Sequence, residues 1–214
     1  MIVIGAKGFA KEVLTVLYQQ ANQIEDIFFF DDVSKDLEDM LFGKFPIIKS
    51  TVAAKEILAQ NPYFVLGLGS PQLRRMMTKK FESMGGHLQS VISPKAVIGS
   101  FGVQIEEGVS IMSGTVITSD IQIGKGVILN LNCTIGHDSI IEDFVECAPG
   151  VHISGNVKIG VNTVIGTGAV LLPKINVGNN CIIGAGSVVR NDIPDNSLVV
   201  GIPGKVIKRI NENI

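Results

Sequence analysis

From Ile105 to Val188 a six-residue unit repeats fourteen times without an insertion, and no other feature of the chain restricts its fold so tightly. Every sixth residue is apolar: Ile105, Ile111, Ile117, Ile123, Leu129, Ile135, Ile141, Cys147, Ile153, Ile159, Ile165, Leu171, Val177 and Ile183. Four positions after each lead residue stands a small or apolar one, from Val109 and Thr115 to Cys181 and Ser187. A period of six fits neither a helix stripe at 3.6 nor a strand alternation at 2. It fits a solenoid in which each hexad makes one flat side and turns a corner, so that three hexads close a triangular coil. Glycine follows the lead residue at Gly124, Gly136, Gly160, Gly166, Gly178 and Gly184, and the sequence reading places these glycines at the corners, where unusual backbone angles are needed. Ile92–Val97 reads as a weaker hexad, set off from the strict register by the seven residues Ile98–Gln104.

The 214 residues are 46% hydrophobic and only 18% charged, as suits a chain whose second half is mostly coil interior. A net charge of −2 gives no basic footprint for nucleic acid. The opening Met1-Ile-Val-Ile-Gly5 runs into a strand without a charged leader, and no apolar run reaches the roughly 18 residues of a membrane span. The expectation is a cytoplasmic protein with no membrane and no nucleic-acid partner. Cys133, Cys147 and Cys181 all fall at inward hexad positions and read as small buried residues.

Residues 1–90 follow α/β grammar. The reading is a strand at Ile2–Ile4, the loop Gly5-Ala-Lys-Gly8, a helix over Phe9–Gln20, and a second strand over 24–30 with Asp31-Asp32 at its end. Further strands are expected at Phe45–Ile48 and Tyr63–Leu68, helices at Val52–Leu58 and Pro71–Met84, and a loop at Gly67-Leu-Gly69-Ser70. Strand, glycine loop, helix, strand, acid is a nucleotide-binding order, since a helix start offers free N–H groups to phosphate. The expected fold is thus a small Rossmann-like α/β domain, 1–90, followed by a left-handed parallel β-helix of hexapeptide repeats with a C-terminal tail, 91–214.

Of the three histidines, His87 reads as a surface residue and His152 as structural. His137 differs: it takes the third place of Ile135-Gly-His-Asp-Ser-Ile140, away from the apolar column and next to Asp138. An adjoining carboxylate orients an imidazole and raises its basicity, as a general base requires. Gly155, eighteen residues on, is expected to leave room for a ligand beside the ring.

The hexads, His137-Asp138, Gly155-Asn-Val-Lys-Ile-Gly160 and the Gly201-Ile-Pro-Gly-Lys205 tail together resemble the left-handed β-helix acyltransferases. With the small α/β domain in front, the chain resembles the subgroup acting on nucleotide-linked amino sugars: the bacillosamine-pathway and perosamine N-acetyltransferases and the sialic acid O-acetyltransferase-like (NeuD-like) proteins. The resemblance implies transfer of acetyl from acetyl-CoA to the amino group of a nucleotide-linked sugar, of the UDP-4-amino-4,6-dideoxy type, without a metal. His137 would be the base and Asp138 its partner. Acetyl-CoA would lie between coils of neighbouring subunits of a homotrimer, at positions matching Glu146, Gly155, Thr167 and Ala185. Lys7, Gly8, Phe9, Asp31, Asp32, Gly69 and Arg74 would hold the nucleotide sugar, the two aspartates at base and ribose, Gly69 and Arg74 near the phosphates. Phe9 and Glu146 depart from the family, which often has histidine at both places. Sialic acid-type O-acetylation and a non-catalytic scaffold are the alternatives; a zinc hydratase would need a third suitably spaced histidine beside His137 and His152.

Overall fold

The computed structural model describes residues 1–20 and 26–210. It divides into two compact units, Met1–Pro94 and Lys95–Ile214.

The first unit runs β1 (Ile2–Ile4), α1 (Gly8–Gln20), β2 (Phe28–Phe30), β3 (Met40–Leu41), β4 (Phe45–Ile48), α2 (Thr51–Gln60), β5 (Tyr63–Leu66), α3 (Pro71–Glu82) and β6 (His87–Leu88). Its sheet is ordered β3-β4-β2-β1-β5-β6 and is parallel apart from the β3–β4 hairpin. Successive connections move outward through β2 and β4, then cross back to β5 on the other side of β1. The strand order therefore reverses between β1 and β5, which is where open α/β sheets bind ligands. Ile2, Ile4, Phe64 and Leu66 on the central strands pack with Phe30 and Phe81 in one apolar core. Ser50 and Ser70 cap α2 and α3 by accepting from Val52 N and Leu73 N, and Pro71 fits the first turn, whose N–H needs no helical acceptor. The predicted strand over 24–30 is shorter. Positions 24 and 25 lie outside the described residues, Asp26 has φ +63°, which no extended strand accommodates, and β2 begins only at Phe28.

The second unit is a parallel β-helix with three sheets. The first stacks the strands beginning at Ser110, Ile128, Glu146, Val164 and Ile182; the second those at Val97, Val116, Thr134, His152, Val170 and Val188; the third those at Gln104, Gln122, Ile140, Lys158 and Asn176. Register is fixed at eighteen residues per coil from Ser110 to Val189, as in Thr134↔His152 and His152↔Val170; beyond it Ile182 pairs with Leu198, sixteen residues on. Below it Ile117 pairs with Ile98, nineteen residues back, so Ile98–Gln104 forms a side of its own with one residue extra. Every lead residue from Ile111 to Ile183 is at most 2% exposed. The buried hydroxyls at the fifth position are satisfied: Thr115 donates to Asn130 O, Ser139 to Ser154 O and Thr163 to Gly178 O.

The corner glycines need correcting. The left-handed residues stand two places later, at the fourth hexad position, and include Asp120, Asn132, Asp138, Asn156, Lys174 and Gly186. Gly136 and its equivalents have ordinary φ and serve close approach instead: a Cβ on Gly136 would lie 2.6 Å from Gly155 N and from Ser154 C in the next coil. At the far end Ser197–Val200 extends the first sheet in parallel, and Lys205–Arg209 pairs antiparallel with it. That last strand carries Lys205, Lys208 and Arg209, charges that discourage pairing with a foreign edge.

Candidate active site

His137 stands at the edge between the second and third sheets, just after the strand Thr134–Ile135. The turn throws the side chain outward: the imidazole is 61% exposed and the Asp138 carboxylate 53%. His137 Nδ1 and Asp138 Oδ2 lie 2.6 Å apart. With the proton on Nδ1 donated to the carboxylate, Nε2 keeps its lone pair and can accept a proton. Asp138 is held in the left-handed region at φ +59°, a conformation aspartate tolerates better than most side chains, and its N–H donates to Ser119 O in the coil before. The backbone turn thus carries the carboxylate round to the ring.

Gly155 lies directly over the imidazole. A Cβ there would come within 2.6 Å of His137 Nε2 and 2.7 Å of Cε1. The space expected for a ligand is occupied by the ring itself, because the outward rotamer lays the imidazole across the next coil. Gly155→Ala should therefore swing the ring off its carboxylate. The expected result is a fall in kcat of about tenfold or more with a melting temperature close to wild type, since the clash is with a movable side chain; parallel loss of both would count against this reading. Asp138→Asn keeps a residue that tolerates the left-handed turn while removing the charge. It should lower kcat about 10- to 100-fold, which steady-state turnover at saturating substrate would reveal.

The remaining donor-site candidates sit elsewhere on the coil. Glu146 is half-buried on the first sheet, between Ile128 and Val164. Thr167 and Ala185 are exposed and stacked on the edge between the first and second sheets. One chain therefore gathers His137, Asp138 and Gly155 on one edge and places Glu146, Thr167 and Ala185 toward another.

In the first unit, the Gly5–Gly8 and Gly67–Ser70 loops leave the carboxyl ends of β1 and β5 side by side. Gly5, at φ +96°, has Gly67 O 2.9 Å from where its Cβ would be, and a Cβ on Gly67 would meet that of Ala10 at 2.7 Å. Neither position has room for a side chain. Gly8 opens α1 with nothing within 4 Å of its missing Cβ, Lys7 is exposed and Phe9 half-buried. The aspartates are already engaged. Asp31 accepts from Val33 N and from both the N–H and hydroxyl of Ser34, and Asp32 is paired with Lys80 at 2.9 Å. Lys80 also lies 4.9 Å from the centre of the Phe30 ring. It was invisible to the sequence reading, for a partner 48 residues away on another element leaves no local signal. Arg74 is fully buried and donates to Gly69 O, so it braces the loop after β5 from beneath.

His87 and His152 are exposed, and His152 Nδ1 lies 2.9 Å from Thr134 Oγ1 one coil below. All three cysteines are buried and free, and burial pushes the Cys133 thiol up to about 11. No group of three or more His, Cys, Asp or Glu among the described residues could hold a metal ion. No helix among them is long and apolar enough to cross a membrane.

Residues 1–81 match the PglD N-terminal domain and residues 156–191 the bacterial transferase hexapeptide (six repeats). Among solved structures, the acetyltransferase domain of PglB from Neisseria gonorrhoeae, in complex with acetyl coenzyme A, is 31% identical; the alignment covers 96% of this chain and 98% of that one, with a TM-score of 0.87. WeeI from Acinetobacter baumannii is 30% identical over 96% of this chain and 98% of its own, at 0.89. A histidine-to-asparagine mutant of perosamine N-acetyltransferase from Caulobacter crescentus, in complex with CoA and GDP-perosamine, is 28% identical over 97% and 96%, at 0.88.

Proposed function

Because the chain belongs to the hexapeptide-repeat sugar acetyltransferases that carry a PglD-type amino-terminal domain, we propose that it moves acetyl from acetyl-CoA to the amino group of a nucleotide-linked 4-amino-4,6-dideoxy sugar, with His137 as general base. The observation that carries this reading is the outward imidazole, fixed at Nδ1 by Asp138 and left with Nε2 available. The amine lone pair attacks the thioester carbonyl and forms the amide C–N bond, while Nε2 takes a proton from the nitrogen. The C–S bond then breaks with its electron pair on sulfur, and the imidazolium returns the proton to the departing thiolate. Much of the acceleration comes from holding two large substrates in line, worth roughly 7–11 kcal/mol. The glycine loops after β1 and β5, with Lys7, Gly8 and Phe9, take the nucleotide diphosphate, and the Asp32–Lys80 pair offers an acceptor and a donor to the base. Arg74 acts by keeping the Gly69 carbonyl in place.

The separation of Glu146, Thr167 and Ala185 from the His137 edge supports a donor groove assembled by two protomers, one giving the imidazole edge and the next the other. A repeated heterologous contact of this kind closes as a ring, here a trimer. The reading places the reaction in the cytoplasm. Thermal-shift measurements with UDP-, GDP- and dTDP-linked 4-amino sugars identify the nucleotide, since ligand binding raises apparent stability. Acetyl-CoA turnover with paired 4-amino and 4-hydroxy sugars then tests the chemistry. Amide formation on the amino sugar supports the reading, and exclusive ester formation would replace it with O-acetylation.

A further inference from the structure

Between α1 and the β3–β4 hairpin the first unit has an open groove of about 450 Å³, which neither the Gly5–Gly8 nor the Gly67–Ser70 loop lines. Helix α1 supplies one wall through Lys11, Leu14 and Tyr18, which follow at helical spacing on a single face. The hairpin supplies the other through Phe42, Lys44 and Phe45. Leu14 and Phe45 are buried and make an apolar floor, with the Phe45 ring edge-on to Tyr18 at 5.9 Å. Above them Tyr18 is 37% and Phe42 65% exposed. Both cations are drawn over this aromatic surface. Lys11 Nζ lies 5.5 Å from the centre of the Phe42 ring, and Lys44 Nζ 5.3 Å from the centres of Tyr18 and Phe45. Lys44 also donates to the Tyr18 hydroxyl at 2.9 Å. Among the described residues, none that lines the groove is acidic. The flanking carboxylates Glu12 and Glu38 stand off it, and Asp39 is paired with Lys49 at 2.9 Å.

Stability does not account for the hairpin turn. Phe42 and Gly43 both have left-handed backbone, φ +54° and +63°, in a two-residue turn closed by Lys44 N donating to Leu41 O at 3.1 Å. Such a turn takes Asn, Asp or Gly at its first place, and a phenylalanine there is strained. The ring gains little burial in return, since most of it faces solvent. Strain retained for the sake of an exposed aromatic side chain at a loop tip marks a contact residue. What the groove offers is an aromatic trough bounded by two ammonium groups, suited to a large apolar side chain with carboxylates on either side. A lipid surface is matched less well, because the floor of Leu14 and Phe45 lies recessed between two walls.

We propose that this groove binds an acidic segment of another protein, a large apolar side chain seating between Phe42 and Tyr18 while flanking carboxylates pair with Lys11 and Lys44. This binding is separate from acetyl transfer, and its test needs neither substrate. Selecting a phage-displayed random peptide library on the full chain should enrich sequences in which Phe, Leu or Trp adjoins Asp or Glu. A fluorescein-labelled peptide from that pool, followed by anisotropy, should bind about tenfold more weakly to Phe42→Gly and to Lys44→Gln, and should weaken with added salt. Phe42→Gly should melt at or above the wild-type temperature, because glycine takes up the turn without strain. An enriched pool without acidic residues would overturn the proposal, as would peptides that bind both variants as tightly as wild type. So would binding to phosphatidylglycerol vesicles but to no acidic peptide, or self-association that Phe42→Gly abolishes. A melting temperature several degrees lower in Phe42→Gly would make Phe42 a packing residue and overturn it too.

Discussion

His137→Ala is expected to lower kcat for acetyl transfer by about 10²–10⁴-fold, the usual cost of removing a general base. The fold should survive, because the imidazole is mostly exposed and the hydrogen bonds that hold its coil come from the backbone: Asn156 N to His137 O, and Gly136 N to Ile153 O. CoA affinity should change little, so the loss ought to appear in kcat rather than in KM. His137→Asn is a closer probe, retaining a polar planar group without a base. A variant that keeps more than a tenth of wild-type kcat would remove His137 from the mechanism.

The second large effect concerns the apolar column. Leu129→Ala should destabilise the protein by about 2–5 kcal/mol, since the side chain is fully buried and its neighbours above and below belong to a backbone ladder that has little freedom to collapse into the void. Gln122→Ala, at an exposed outward position seven residues earlier, should stay within about 0.5 kcal/mol. Chemical denaturation of the two variants reads the difference directly. Comparable losses at both sites would mean that the inward and outward positions of the hexad had been misassigned.

The triangular coil could be read from the lead residues alone, because burial of one residue in six leaves a periodic trace that survives exchange among Ile, Leu, Val and Cys. The turns left a trace too, though a subtler one. Twelve of the fourteen fourth-position residues in the register are Gly, Asn or Asp, the types that tolerate left-handed backbone, whereas the more conspicuous glycines after the lead residue answer to close contact between coils. Asp138 therefore satisfies two demands, the shape of the turn and the orientation of His137, and a sequence does not separate them. The ring lying over Gly155 depends on a rotamer, which a string of letters does not encode. The family resemblance puts Arg74 near the phosphates, whereas the side chain falls on the inner face of α3 with Thr78 and Phe81, and that face is buried. Lys80 and Asp32 meet only because α3 packs back over the end of β2.

The strict eighteen-residue register also makes the coil a measuring device with discrete graduations. Excising or inserting a whole eighteen-residue coil between His152 and Val188 would change the distance between groups on either side of it by a single graduation, about 4.8 Å, while leaving every other level chemically intact. The length of any groove along the axis is set in such a protein by the number of levels rather than by the identity of any side chain.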